Sequence, residues 1–216
     1  MEDIVVPEIP EEIRNKEFSA SDIKWVKTVN DENTFSAYIP PDKPYRRPRK
    51  NSAGICFCLQ LNEIFTDSLN SVPKGDLILL YQTLKDSSNN QVKCLTHLVT
   101  PIGDRVIPNP YPYDGGPGRW VQVIAMTNNN VVGSIRFENT VWPTIGFRGN
   151  AYSNLTFQNG RIYKINSEDQ YLSDEQLSKL QNDIWKRFDY FKKGNLFSNR
   201  LVTEQVLQNV EHFAAF

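Results

Sequence analysis

Gly75-Asp-Leu-Ile-Leu-Leu-Tyr-Gln82, followed ten residues later by Val92-Lys-Cys-Leu-Thr-His-Leu-Val-Thr-Pro101, decides how this chain folds. Both runs are rich in aliphatic, β-branched and aromatic residues, and the polar connector Asp86-Ser-Ser-Asn-Asn-Gln91 between them reads as a surface loop. Leu77 to Gln82 carries apolar side chains at odd and even positions alike, which predicts a central strand buried on both faces. Pro73-Lys-Gly75 turns the chain into it.

Working outward, residues 1–52 read as an irregular arm, because Pro7, Pro10, Pro40, Pro41, Pro44 and Pro48 break any long helix. Within it, Trp25 and Val26 start a strand or a short helix. Ile55 to Leu61 is a strand, and Asn62 to Leu69 a short amphipathic piece. Beyond Pro101 comes a long Pro/Gly-rich loop, Pro108-Asn-Pro-Tyr-Pro-Tyr-Asp-Gly-Gly-Pro-Gly118, whose length and composition mark it as functional or mobile. Trp120 to Met126 and Val131 to Phe137 form a hairpin across Asn128-Asn-Asn130. Leu155 to Gln158 and Arg161 to Ile165 form a second across Asn159-Gly160, the stronger of the two turn signals. After Ile165 the pattern becomes helical. Ser173 and Gln176 make a capping box, Leu177, Leu180, Ile184, Phe188 and Phe191 follow at helical spacing, and Gly194 stops the helix. A last helix begins near Thr203. The expectation is an α+β fold with a β-barrel-like core over residues 53–165 and a C-terminal helical extension over 166–216.

Composition narrows the function. The chain has 216 residues, 39% hydrophobic and 23% charged, as folded proteins do, and the 12 Phe, 9 Tyr and 4 Trp favour a β-rich core or an aromatic-lined pocket. No apolar run approaches the roughly 18 residues that span a bilayer, and the acidic start Met1-Glu-Asp-Ile-Val-Val-Pro7 is not a secretory signal, so a cytoplasmic location without membrane association is expected. Cys56, Cys58 and Cys94 fit neither a disulfide framework nor zinc spacing; they read as buried thiols. A net charge of −1 excludes a generally basic nucleic-acid coat and leaves room for a local patch.

Catalytic constellations are scarce. His97 and His212 lie on different elements, no nucleophile elbow, Walker loop or zinc-protease motif is present, and no catalytic residue, metal ligand or cofactor is assigned. Gly115-Gly-Pro-Gly118 lacks the Lys-Ser/Thr ending of a phosphate loop. Binding has better candidates. Tyr111 and Tyr113 lie in the long loop, Trp120 follows it and Trp142 stands in Val141-Trp-Pro-Thr144; if the loop covers one mouth of a barrel, these rings can stack on a planar ligand. The plainer alternative makes the tryptophans core plugs and His97 a satisfied core histidine. Lys43, Arg46, Arg47 and Arg49, interleaved with Tyr45, and Arg119 after the glycine loop are the candidates for phosphate.

Gly75-Asp76 before a hydrophobic strand ending in Tyr81-Gln82, then a strand with a Thr-His-Leu-Val core, resembles the PUA-like superfamily, especially its EVE branch. The resemblance implies a mixed or antiparallel pseudo-barrel that encloses a modified base, often in restriction or antiviral defence systems. It makes Tyr81, His97 and Trp120 candidates for the pocket, and Trp25 resembles the tryptophan near the start of EVE domains. The leading expectation is therefore non-catalytic recognition of nucleic acid or a modified base. Two others stay open: a protein-interaction subunit or homo-oligomer joined through the C-terminal helix ending Glu211-His-Phe-Ala-Ala-Phe216, and an enzyme acting on a nucleotide-like substrate through His97.

Overall fold

A computed structural model of the protein describes residues 7–29, 56–61, 63–85, 91–110, 116–126, 135–136, 162–165 and 172–188. Seven strands occur there: β1 (Ile23–Val29), β2 (Cys56–Gln60), β3 (Leu77–Lys85), β4 (Gln91–Pro101), β5 (Gly118–Met126), β6 (Ile135–Arg136) and β7 (Ile162–Lys164). Three α-helices accompany them, α1 (Glu11–Arg14), α2 (Thr66–Asn70) and α3 (Asp174–Arg187), with two short 3-10 turns at Ala20–Asp22 and Glu63–Phe65. The strands form one mixed sheet in the order β2-β5-β4-β3-β1-β7, with β6 also beside β4. β1 runs parallel to β3, and every other pairing is antiparallel.

The α+β class and the antiparallel β3–β4 pair agree with the sequence reading; closure into a barrel does not. Among the described residues β2 and β7 end the path and are not paired to each other. The reason lies in how β3 is covered. Leu77 and Leu79 join a core cluster with Leu180, Ile184 and Phe188 from the α3 side, whereas Ile78 and Leu80 join a second with Leu69 and Val72 from the α2 side. Burial on both faces thus comes from layers on either side of an open sheet, not from closure.

The sheet also takes in residues 23–29, so that of the strand or short helix expected at Trp25 and Val26 the strand is what forms, within a segment otherwise read as an irregular arm. The expected hairpin of β5 with the 131–137 run is corrected as well: β6 pairs with β4, Cys94 facing Arg136 and Leu95 facing Ile135. Of the Asn159-Gly160 hairpin only residues 162–165 are described, and β7 pairs with β1. The helix beginning near Thr203 lies outside the described residues.

Three local features fix the geometry. Gly75 has φ +88°, a left-handed conformation that costs an L side chain about 1–2 kcal/mol. Gly118 lets β2 and β5 approach, since a Cβ there would lie 2.6 Å from Cys58 Sγ and 2.8 Å from the Leu59 carbonyl. α3 is started by a reciprocal capping box, Ser173 Oγ accepting from Gln176 N at 3.2 Å and Gln176 Oε1 accepting from Ser173 N at 2.9 Å. Its Gln181 Nε2 then donates to the Ile23 carbonyl at 2.9 Å, fastening helix to sheet.

Candidate functional site

The strand registers place two rows of residues side by side on the α2-facing side of the sheet. One runs Lys164, Trp25, Ile78, Val99; the next runs Ile162, Lys27, Leu80, His97. Laterally paired residues share a face, so Trp25, Lys27 and His97 lie on one surface with aliphatic side chains between them. A bulge at Lys24 sets this phase in β1, because Ile23 faces Leu77 while Trp25 already faces Ile78. A second bulge at Thr96 does the same in β4, bringing His97 opposite Leu80 and Leu95 opposite Tyr81.

At the start of β3, Asp76 ties two residues of β1 to its carboxylate. Its Oδ2 accepts from the indole Nε1 of Trp25 at 3.0 Å, and its Oδ1 pairs with Lys24 Nζ at 2.8 Å. The parallel β1–β3 pairing makes this contact possible across about fifty residues of chain. Lys164 Nζ stands over the Trp25 ring, 6.0 Å from its centroid, near the limit for a cation–π contact. Trp25 is half-buried, with its edge fixed by a carboxylate and two ammonium groups around it. Such a ring is held in one orientation, as a stacking platform requires.

Further in, the surface becomes dry. Lys27 is 2% exposed, and burial lowers its pKa to about 7; His97 is fully buried, and burial lowers its pKa to about 3. At neutral pH the imidazole is uncharged and the lysine is divided between its two forms.

The other expected site residues fall elsewhere. Trp120 is a core plug, packed with Ile9, Ile13, Cys58 and Ile102. Arg119 differs from the anion contact expected of it. It is 3% exposed, its Nη1 donates to the carbonyls of Leu69 (2.8 Å), Asn70 (3.4 Å) and Val72 (2.7 Å), and its Nε donates to that of Gly103 (2.9 Å). It serves as a buried cation closing the C-terminal end of α2. Tyr81 is placed only as a backbone position opposite Leu95, and nothing is described of its side chain. Lys43, Arg46, Arg47, Arg49, Tyr111, Tyr113 and Trp142 lie outside the described residues. Cys56, half-buried, and Cys58, buried, are thiols outside any disulfide, and burial raises both to about 12, which leaves them unreactive at neutral pH. Among the described residues no group of His, Cys, Asp and Glu is arranged to hold a metal ion, and no helix is long and apolar enough to cross a membrane.

Sequence reasoning missed Lys24, Lys27, Asp76 and Lys164. Asp76 had a signal in the Gly-Asp pair, where a turn glycine is followed by an acid at a strand entrance. Lys27 had none, because its burial is created by β3 and β7 on either side. In comparisons with known proteins no family model matches the chain and no curated protein matches it, so the functional reading rests on the arrangement of Trp25, Asp76, Lys27 and His97.

Proposed function

We propose that the protein recognises nucleic acid without chemistry, taking a base, modified bases included, against Trp25. The observation that carries this reading is the fixed indole: Trp25 is tied edge-on to Asp76, flanked by Lys24 and Lys164, and continuous with the face holding Lys27 and His97. A base stacked there would place its phosphates toward Lys24 and Lys164, while Lys27 and His97 lie beneath in the buried layer that supports the ring. The resemblance to PUA-like and EVE-like domains belongs to the same reading, as does a role as the sensor of a restriction or defence system. An open sheet is compatible with it, because stacking needs an ordered ring at an accessible rim rather than a closed cavity.

Fluorescence anisotropy with labelled single-stranded oligonucleotides, with and without modified cytosine or adenine, tests it. Trp25→Ala should weaken binding by about 5- to 150-fold, the range for losing one base–aromatic stack. Two phosphate contacts predict a log K against log salt slope of about −1.4 on single strands. A steeper slope would add the basic arm at Lys43, Arg46, Arg47 and Arg49. Absence of binding to every DNA and RNA probe at low salt sinks the reading.

A further inference from the structure

A separate groove opens between the segment Glu63–Phe65 with Thr66 and the chain from Val106 to Asn109, and Pro117 closes one end. Its volume is about 370 Å³, at the small end for ligand pockets and suited to one side chain or one ring. Its walls are fastened. Ile107 and Gly118 exchange both backbone hydrogen bonds at 2.7 and 2.9 Å, and Leu61 N donates to the Pro117 carbonyl at 3.0 Å. Gln60 Nε2 donates to Asn109 Oδ1 at 2.6 Å, and Val106 N donates to Asn70 Oδ1 at 2.8 Å.

The groove has one sign of charge. Val106, Ile107, Pro108 and Pro117 give an aliphatic lining, and among the described residues Glu63 is the only ionisable group on it. Glu63 is exposed, and its carboxylate makes no ion pair with another described residue. With no cation on the wall among the described residues, phosphate and carboxylate ligands are disfavoured. An aliphatic stem ending in a cation is complementary: its methylenes cover the prolines and Ile107 while its head meets Glu63 in water. Next to Glu63 in the same turn, Ile64 is 77% exposed, a large apolar side chain open to a partner. One exposed ion pair holds little by itself, so the occupant must use this outer surface too.

We infer that the groove receives a lysine side chain presented by an extended segment of a partner polypeptide, with Glu63 as its counter-ion and Ile64 as a neighbouring contact. This inference is independent of the base platform at Trp25 and survives its failure.

The test titrates the methyl-labelled full chain with an acetylated, amidated heptapeptide carrying a central lysine between leucines. Parallel titrations use the same peptide with norleucine at that position and free 1,5-diaminopentane. Saturable shifts of the Ile64, Val106 and Ile107 methyl resonances are expected with the lysine peptide. Glu63→Gln, a surface change that leaves the walls intact, should weaken it about fivefold, the upper end for one exposed ion pair, and norleucine should do the same in the native protein. Equal binding of the norleucine peptide, shifts confined to other methyls, or no shift at millimolar peptide would each overturn the inference. The diamine binding as tightly as the peptide would overturn it in favour of a free alkylammonium site.

Discussion

Lys27 carries an electrostatic cost that pH exposes. Its proton is held with a pKa of about 7 in the fold against 10.5 in the open chain, so between those values the unfolded state binds more protons. Stability must therefore rise with pH through this window, by up to about 1.4 kcal/mol per pH unit. The clearest interval is pH 7 to 9, before Cys56 and Cys58, moved from 9.0 to about 12, begin to oppose the trend. His97, moved from 6.5 to about 3, acts in the adjoining range: stability falls as the pH drops below 6.5, because only the unfolded chain gains that proton. Urea unfolding of Lys27→Met should show higher stability at pH 6–7 and a flattened slope from 7 to 9; an unchanged slope would mean the amine is not buried in solution. Gln122 carries a second local cost. Its side-chain amide is buried at 1% exposure, with neither Nε2 nor Oε1 hydrogen-bonded to any described residue. Gln122→Met should stabilise by about 1–2 kcal/mol, since each unmet buried polar group costs that order, and calorimetry reads the sign directly.

At the scale of elements, α3 does most to cover one side of the sheet, and its contribution can be divided. Leu180 and Ile184 enter the same cluster as Leu77, Leu79 and Leu98. Leu180→Ala should cost about 2–5 kcal/mol through lost burial and a cavity. Ser173→Ala should cost about 1 kcal/mol through the cap alone. If urea midpoints rank the two the other way, α3 is held by its terminus rather than its face. How much of these elements could be read from sequence follows from where their ordering forces act. β3 was legible because four consecutive aliphatic residues, Leu77 to Leu80, permit nothing else, and α3 because its cap and its apolar spacing agree. β1 was only half legible: Lys24, Lys27 and Thr28 interrupt its apolar pattern and left strand and short helix both open, and it becomes a strand because β3 and β7 accept it from either side. Arg119 was misplaced for the same reason. A basic residue after a glycine-rich loop has the same local sequence whether it meets a phosphate or the carbonyls that end α2.

For the molecule as a whole, little of the candidate site was legible in the sequence: Trp120, expected in a pocket, is a core plug, and Trp25 entered only through a resemblance. Trp25 could be singled out as a ring, but its partner Asp76 and its neighbour Lys164 come from distant parts of the chain and meet it only across the assembled sheet. The same assembly sets the order in which the protein can form. β3 and β4 can zip at once across their short connector, whereas β1 must span about 50 residues to reach β3 and about 135 to reach β7, separations that slow folding to the millisecond-to-second range of non-local sheets. Stopped-flow refolding should therefore divide by position. A destabilising change in β4 such as Leu98→Ala should slow refolding, while Val26→Ala in β1 should mainly speed unfolding. On a ribosome, β1 emerges before every other described strand and has nothing to pair with until β3 is made. Its apolar residues Ile23 and Val26 spend that interval exposed, a waiting period in which holding chaperones would find their target.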